Sequence, residues 1–98
     1  MLTSKQRAAL RAIATNIDTI LQVGKGGVGE NLVAQVNDAL RAREIVKIRV
    51  LETAFMTPAE AAAILSEATG SEVAQVIGTK FVLYRENKDI PKEKRIKL

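Results

Sequence analysis

Four glycines stand within residues 24–29, a segment that we call the glycine loop, and they separate two stretches of different hydrophobic periodicity. Residues 19–23 before the loop are apolar and β-branched, as in a buried strand. Apolar residues after the loop recur at helical spacing, at Leu32, Val33, Val36, Ala39 and Leu40. The glycine loop therefore predicts a strand-to-helix junction, and with it a fold of the α/β class.

Capping signals predict two further helices. Thr3 and Gln6 have the spacing of a capping box, at the start of a first helix that ends near residue 15. Thr57 and Glu60 repeat the pattern before a third helix, with proline at the first helical position. Gly70 suits the C-terminal cap of that helix.

Three further runs predict strands. In residues 45–51 apolar side chains alternate with Lys47 and Arg49, which predicts one buried face and one solvated face that carries both cations. Residues 73–77 and 81–85 are separated by three residues beginning with glycine, so these two runs should pair as an antiparallel hairpin.

The predicted element order is helix, strand, helix, strand, helix, strand, strand. We expect a single compact α/β domain over residues 1–86, in which helices cover a mixed four-stranded sheet. Residues 87–98 lose the apolar pattern and are rich in lysine, so we expect a basic C-terminal tail that is at least partly mobile.

The composition argues against most enzyme chemistry. The chain has no Cys and no His, which removes disulfides, thiolate metal sites, zinc ligation and the commonest general base. Its acidic residues are spread along predicted helix faces and strand ends rather than paired. No apolar run approaches the roughly 18 residues that span a bilayer, and the basic first segment does not resemble a signal peptide. We expect a cytoplasmic, non-enzymatic protein without cofactor, metal, membrane or small-molecule substrate.

The formal charge of +4 is unevenly distributed. Residues 1–50 hold eight basic and four acidic side chains. Residues 51–86 hold two basic and five acidic side chains, and the tail holds five basic and two acidic ones. We therefore expect an anionic partner to meet the first helix, the glycine loop, the end of the second helix and the second strand, while the acidic third helix faces away. The alternative is that these charges belong to ordinary solvated faces.

The glycine loop has several possible functions. Glycines before a helix let the backbone approach an anion, and Lys25 adds a full charge. Gly24, Gly26 and Gly29 also match the G-x-G-x-x-G pattern of dinucleotide-binding folds, with Glu52 near the position of a ribose-binding acid. The terminal hairpin leaves little parallel sheet for that fold, and no G-K-[ST] sequence supports a P-loop. The remaining interpretations are a helix-capping turn and a G-x-x-G loop that clamps an RNA backbone, as in KH modules.

The three aromatic residues do not suggest a base-stacking surface. Phe81 and Tyr84 fall on opposite faces of one predicted strand, and we expect both of them and Phe55 to lie in the core. Recognition of a nucleic acid would then depend on backbone shape and charge, with weak sequence specificity and strong salt dependence.

Three blocks of the sequence resemble the bacterial YhbY family, the stand-alone form of the CRM (chloroplast RNA splicing and ribosome maturation) domain. The blocks are Leu2-Thr3-Ser4-Lys5-Gln6-Arg7 with Leu10-Arg11, then Val23-Gly24-Lys25-Gly26-Gly27-Val28, and Gln75-Val76-Ile77-Gly78 followed by Phe81-Val82-Leu83-Tyr84-Arg85. The resemblance implies a fold similar to the C-terminal domain of bacterial translation initiation factor three. It also implies RNA binding through the G-x-x-G loop and association with precursors of the large ribosomal subunit.

We therefore predict a CRM-type RNA-binding domain whose partner is RNA, ribosomal RNA in particular. The predicted contacts are the loop residues Gly24, Lys25, Gly26 and Gly27 and the flanking cations Lys5, Arg7, Arg11, Lys47 and Arg49. The alternatives are a module that docks on a ribosomal protein or assembly factor, and a dinucleotide-binding fragment.

Two positions depart from the family pattern. Many members carry Ser or Thr where Gly29 stands, so the junction of loop and helix should be looser here because a natural N-cap is missing. Many members also have a His-Pro pair after the first helix, where this chain has Thr15-Asn16-Ile17.

Overall fold

The computed structural model describes residues 2–96 and residue 98, and it contains the predicted order of elements. The helices are α1 (Ser4–Thr15), α2 (Glu30–Arg43) and α3 (Pro58–Thr69). The strands are β1 (Leu21–Val23), β2 (Ile45–Val50), β3 (Glu72–Ile77) and β4 (Lys80–Tyr84). Two short 3-10 turns cover Glu52–Ala54 and Lys92–Lys94. No helix of the described residues is long and apolar enough to cross a membrane.

The four strands form one mixed sheet in the order β1-β2-β4-β3. β1 pairs with β2 in parallel, whereas β4 is antiparallel to both of its neighbours. A sheet with a single parallel pair cannot form the repeated βα units of a dinucleotide-binding fold. The dinucleotide interpretation of Gly24, Gly26, Gly29 and Glu52 is therefore wrong.

Both helices with predicted capping boxes begin as expected. The Thr3 hydroxyl accepts a hydrogen bond from the Gln6 N–H, and the Gln6 side chain accepts one from the Thr3 N–H, at 3.1 and 2.9 Å. Thr57 and Glu60 make the same reciprocal pair at the start of α3. Gly70 ends α3 in the left-handed conformation, with φ of 64°.

The sheet is covered on both faces. α2 and α3 pack on one face around a core cluster that includes Val36, Leu65 and Phe81. α1 packs on the other face, where Leu10 and Ala14 contact residues such as Ile45, Val82 and Tyr84. The expectation that β2 has one buried and one solvated face is therefore only partly right, since α1 covers the second face up to Lys47 and leaves only Arg49 exposed.

Glu44 attaches the C-terminal tail to the domain through two hydrogen bonds. Glu44, which follows α2 and has φ of 65°, is 1% exposed. Its Oε2 accepts a hydrogen bond from the Asn87 N–H and its Oε1 accepts one from the Ile96 N–H, both at 2.8 Å. In this structure, charge-assisted bonds to a buried carboxylate hold the backbone of Asn87 and of Ile96 against the domain, and the expectation of a partly mobile tail stays a prediction.

Candidate functional site

The glycine loop forms a tight turn with an open tip. The Gly27 N–H donates to the Gly24 carbonyl at 2.9 Å, and Gly27 has φ of 67°, which favours glycine. Lys25 and Gly26 are exposed at the tip, and a Cβ added at Gly26 would meet no atom within 4 Å. A ligand can therefore approach the loop backbone closely at this point.

α2 begins directly after the glycine loop. Gly29 is its N-cap and supplies no side-chain hydrogen bond, as predicted from the missing Ser or Thr. The first helical N–H groups have no partner within the helix and face solvent with the positive end of the dipole. Glu30 lies in the same first turn, so its carboxylate offsets part of that potential. Attraction of an anion must therefore come mainly from nearby cations.

Three segments meet at the end of the sheet that carries the glycine loop. The Leu51 N–H donates to the Val23 carbonyl at 2.9 Å, and the Val50 N–H donates to the Thr79 carbonyl at 2.7 Å. A Cβ at Gly27 would lie 3.6 Å from Met56 Cε. We call this region the loop end: the glycine loop, residues 51–57 and the turn between β3 and β4.

Two cations stand side by side next to the loop end. The register of β2 and β4 pairs Arg49 with Lys80, and β1 places Gln22 on the other side of Arg49. Directly paired residues point to the same face of a sheet, and like charges in that position destabilise it. Within residues 2–96 and 98, no hydrogen bond or ion pair engages the side chain of Arg49 or Lys80. An anion bound between them would relieve this repulsion.

Sequence reasoning missed Lys80, because it was counted with the acidic residues 51–86. Only the antiparallel register of β4 against β2 brings it beside Arg49. The alternation in β2 and the hairpin at Gly78 were visible, but neither tells which strand the hairpin joins.

Two of the predicted RNA-contacting cations have bonds inside the protein. The Lys47 Nζ donates to the Ala14 carbonyl at 3.1 Å, at the end of α1, and the Arg7 Nη1 donates to the Val73 carbonyl at 2.9 Å. Val73 pairs with Leu83 of β4, and Leu83 pairs with Val46 near the start of β2. Because the loop end lies where β2 ends, Arg7 is away from it. Lys5 and Arg11 are exposed on α1. The structure thus groups Lys25 and Arg49 with the loop, and does not group Lys5 or Arg7 with it.

The basic end of α2 is also remote from the glycine loop. The helix has 14 residues and starts at the loop, so Arg41 and Arg43 in its last turn are about 20 Å away. Arg41 pairs with Asp38 at 3.2 Å. A single phosphate at the loop therefore cannot also contact the end of the second helix, and the expectation that an anionic partner meets both places stays a prediction that requires a ligand about 20 Å long.

The aromatic residues divide into two buried side chains and one exposed side chain. Phe81 and Tyr84 are 0% and 8% exposed, as expected, whereas Phe55 is 91% exposed. The expectation that Phe55 lies in the core is wrong. Its backbone has φ of 53° and ψ of 34°, a left-handed conformation that turns the ring outward while Ala54 and Met56 pack inward.

The described residues contain no group of three or more His, Cys, Asp or Glu side chains that could hold a metal ion. The loop end and the strand residues next to it offer instead exposed backbone at the loop tip, three cations and one exposed aromatic ring. These groups suit a ligand that carries negative charge along an extended chain.

These features define a small α/β module with an anion-accessible glycine loop at one end of its sheet. Its family follows from sequence comparison. The CRS1 / YhbY (CRM) domain matches residues 2–85, and the chain belongs to that family. The resemblance seen in the three sequence blocks is thereby confirmed.

Several similar proteins carry names that refer to RNA. The chain is 42% identical over 89 residues to "Probable RNA-binding protein YqeI" of Bacillus subtilis. The aligned residues cover 91% of this chain and 93% of that protein. It is 33% identical to "Probable RNA-binding protein MJ0652" of Methanocaldococcus jannaschii, over 86% of this chain and 63% of that protein.

A solved structure agrees with the fold. The solution structure of SAV1595 from Staphylococcus aureus, described as a candidate RNA-binding protein, has a TM-score of 0.79 and 49% sequence identity to this chain. The match covers 99% of this chain and 100% of that protein. The predicted fold class, with three helices and a mixed four-stranded sheet, is confirmed.

Proposed function

We propose that the protein binds RNA at its loop end and that the RNA is ribosomal RNA in precursors of the large ribosomal subunit. The observation that carries the proposal is the open tip of the glycine loop, where Lys25 and Gly26 are exposed at the end of the sheet at which β2 and β4 pair Arg49 with Lys80. The names of the similar proteins support RNA as the polyanion.

Binding at this site depends on contacts to the phosphate backbone of the RNA. The N–H groups of the loop tip donate to phosphate oxygens, and Lys25 supplies charge at the same point. Arg49 and Lys80 extend the positive surface across β2 and β4. Phosphate contacts position the RNA and carry no sequence information, so affinity depends more on charge than on sequence.

The first experiment is a salt titration of RNA affinity. If Lys25, Arg49 and Lys80 neutralise about three phosphates, the log–log slope of the association constant against salt should be about −2 to −3. Structured ribosomal RNA fragments and an unrelated stem-loop should give similar slopes. A flat response would contradict binding through phosphates.

A second experiment uses charge reversal with a matched control. Lys25→Glu should weaken RNA binding by at least about tenfold, whereas Arg43→Glu, the same change of charge about 20 Å away, should have a smaller effect. Gly26→Asp can be added because the space around Gly26 is open and the fold should tolerate the side chain. Equal effects of the two reversals would remove the glycine loop from the site.

The identity of the RNA requires a measurement in cells. Ultraviolet crosslinking of the protein, followed by sequencing of the attached RNA, should enrich large-subunit ribosomal RNA and its precursors. An even distribution over cellular RNA would overturn the ribosomal part of the proposal and leave general RNA binding in place.

A further inference from the structure

Phe55 is the most exposed large hydrophobic residue of the described chain. It is 91% exposed, whereas the next such residue, Ile77, is 55% exposed. Its left-handed backbone conformation disfavours bulky residues and favours glycine or asparagine. Neither burial nor backbone preference therefore accounts for an aromatic residue at this position.

The turn that carries Phe55 is anchored on both sides. The Ala54 N–H donates to the Leu51 carbonyl at 3.0 Å, and Ala54 is buried. Met56 packs against the core, and the capping box of α3 starts at Thr57. The ring therefore projects from a fixed support.

This support contacts the glycine loop directly. Met56 Cε would lie 3.6 Å from a Cβ at Gly27, and Leu51 Cδ1 would lie 3.8 Å from one at Gly24. Phe55 thus belongs to the segment that packs against the backbone that the proposed function assigns to phosphate.

We propose that Phe55 stacks on an unpaired nucleobase while the glycine loop holds a neighbouring phosphate. The inference rests on the proposed function and specifies its substrate as RNA with an unstacked base, such as a hairpin loop or a bulge. Aromatic rings stack on splayed bases in such single-stranded elements, and a continuous duplex offers none. The positive charges of Lys25, Arg49 and Lys80 favour a nucleic acid over an apolar protein segment as the partner.

The test compares two RNAs and three proteins. One probe is a stem-loop RNA with a loop of about six adenosines, and the other has abasic sites at the loop positions but the same length and charge. The wild-type protein should bind the intact loop about tenfold more tightly. Phe55→Asn should lose that preference and bind both probes as weakly as the wild type binds the abasic one.

Asparagine is chosen because it tolerates the left-handed conformation, so the variant should fold. Phe55→Trp should retain the preference, and because the chain has no other Trp, quenching of its fluorescence by the intact loop reports stacking directly. Leu98→Asn, at an exposed apolar residue that lines the same cavity as Glu44, controls for general loss of apolar surface and should keep the preference.

The outcomes separate the two proposals. If Phe55→Asn keeps the preference for intact loops, stacking by Phe55 is wrong, whereas a loss of affinity in Lys25→Glu would leave the proposed function standing. If the wild-type protein binds a fully paired duplex as tightly as the stem-loop, stacking is overturned in the same way. If the wild type binds none of these RNAs, both proposals fail.

Discussion

Glu44 and Phe55 are the two non-glycine residues with positive φ among those that the structure describes, at 65° and 53°. Such a conformation costs about 1–2 kcal/mol for an L-residue. At Glu44 the cost is offset inside the protein, because the buried carboxylate accepts two backbone hydrogen bonds from the tail. At Phe55 the side chain points into solvent. The same local strain therefore has a structural explanation at one position and a functional one at the other.

The surroundings of the two residues differ in the same way. Near Glu44, Arg85 donates from Nη1 to Asn37 Oδ1 and to the Thr69 carbonyl, both at 2.7 Å, and so ties β4 to α2 and α3. At the end of the sheet that carries the glycine loop, the exposed Lys25 and the paired Arg49 and Lys80 have no such internal partners among the described residues. Polar groups at one end complete the fold, and those at the loop end remain available to a ligand.

The largest expected effect is on stability, from Glu44→Ala. The change removes the two carboxylate oxygens that accept hydrogen bonds from the Asn87 and Ile96 N–H groups. Because these charge-assisted bonds are lost, the free energy of unfolding should fall by about 2–4 kcal/mol. Urea denaturation measures it. RNA affinity should be almost unchanged, because the loop end is untouched. Glu44→Gln, which keeps one acceptor, should cost less. A Glu44→Ala variant as stable as the wild type would remove the contrast between the two ends.

A change of opposite sign is expected for Phe55→Asn. Because asparagine tolerates the left-handed conformation and little burial is lost, the variant should be as stable as the wild type or more stable by up to about 1 kcal/mol. Thermal unfolding measures this effect, alongside the RNA-binding test. A clear loss of stability would show that the ring has a structural role.

Lys80→Thr should give a smaller gain. Removing one of two like charges that face each other across β2 and β4 should stabilise the sheet by about 0.2–1 kcal/mol, while weakening RNA binding. Thermal unfolding at low salt measures the gain, which should shrink as salt screens the charges. Lys88→Thr in the tail serves as the matched control. Equal shifts in both variants would mean that the Arg49–Lys80 repulsion is negligible.

Local signals made much of the fold predictable. The capping boxes at Thr3 and Thr57 and the turn at Gly78 depend on residues close in sequence, so their patterns could be read directly. The glycine loop was predicted correctly as a strand-to-helix junction for the same reason. These signals determine where helices and turns begin and end, but they do not determine how elements distant in sequence pair.

What could not be predicted depends on tertiary arrangement. Lys80 joins Arg49 only through the insertion of β4 beside β2, and Lys47 loses its exposure only because the end of α1 packs over it. Phe55 was assigned to the core on hydrophobicity, which carries no sign of its left-handed backbone. Counting charge along the sequence therefore assigned several cations to one site, although the fold places these cations apart.

The smallest effect concerns Tyr84, near Glu44. Burial, and then the negative charges of Glu44 and Glu86, raise the pKa of its phenol above the ordinary 10.0. Because the folded-state pKa is the higher one, this contribution to stability is complete below pH 10 and is lost as pH rises through the folded-state value. Tyr84 is the only tyrosine and there is no Trp, so an ultraviolet titration reports it alone. Its midpoint should lie above 10.0 and should fall only partly in Glu86→Gln, since burial is the largest cause. A midpoint at or below 10.0 would mean that this end of the molecule is more open to water than its hydrogen bonds imply.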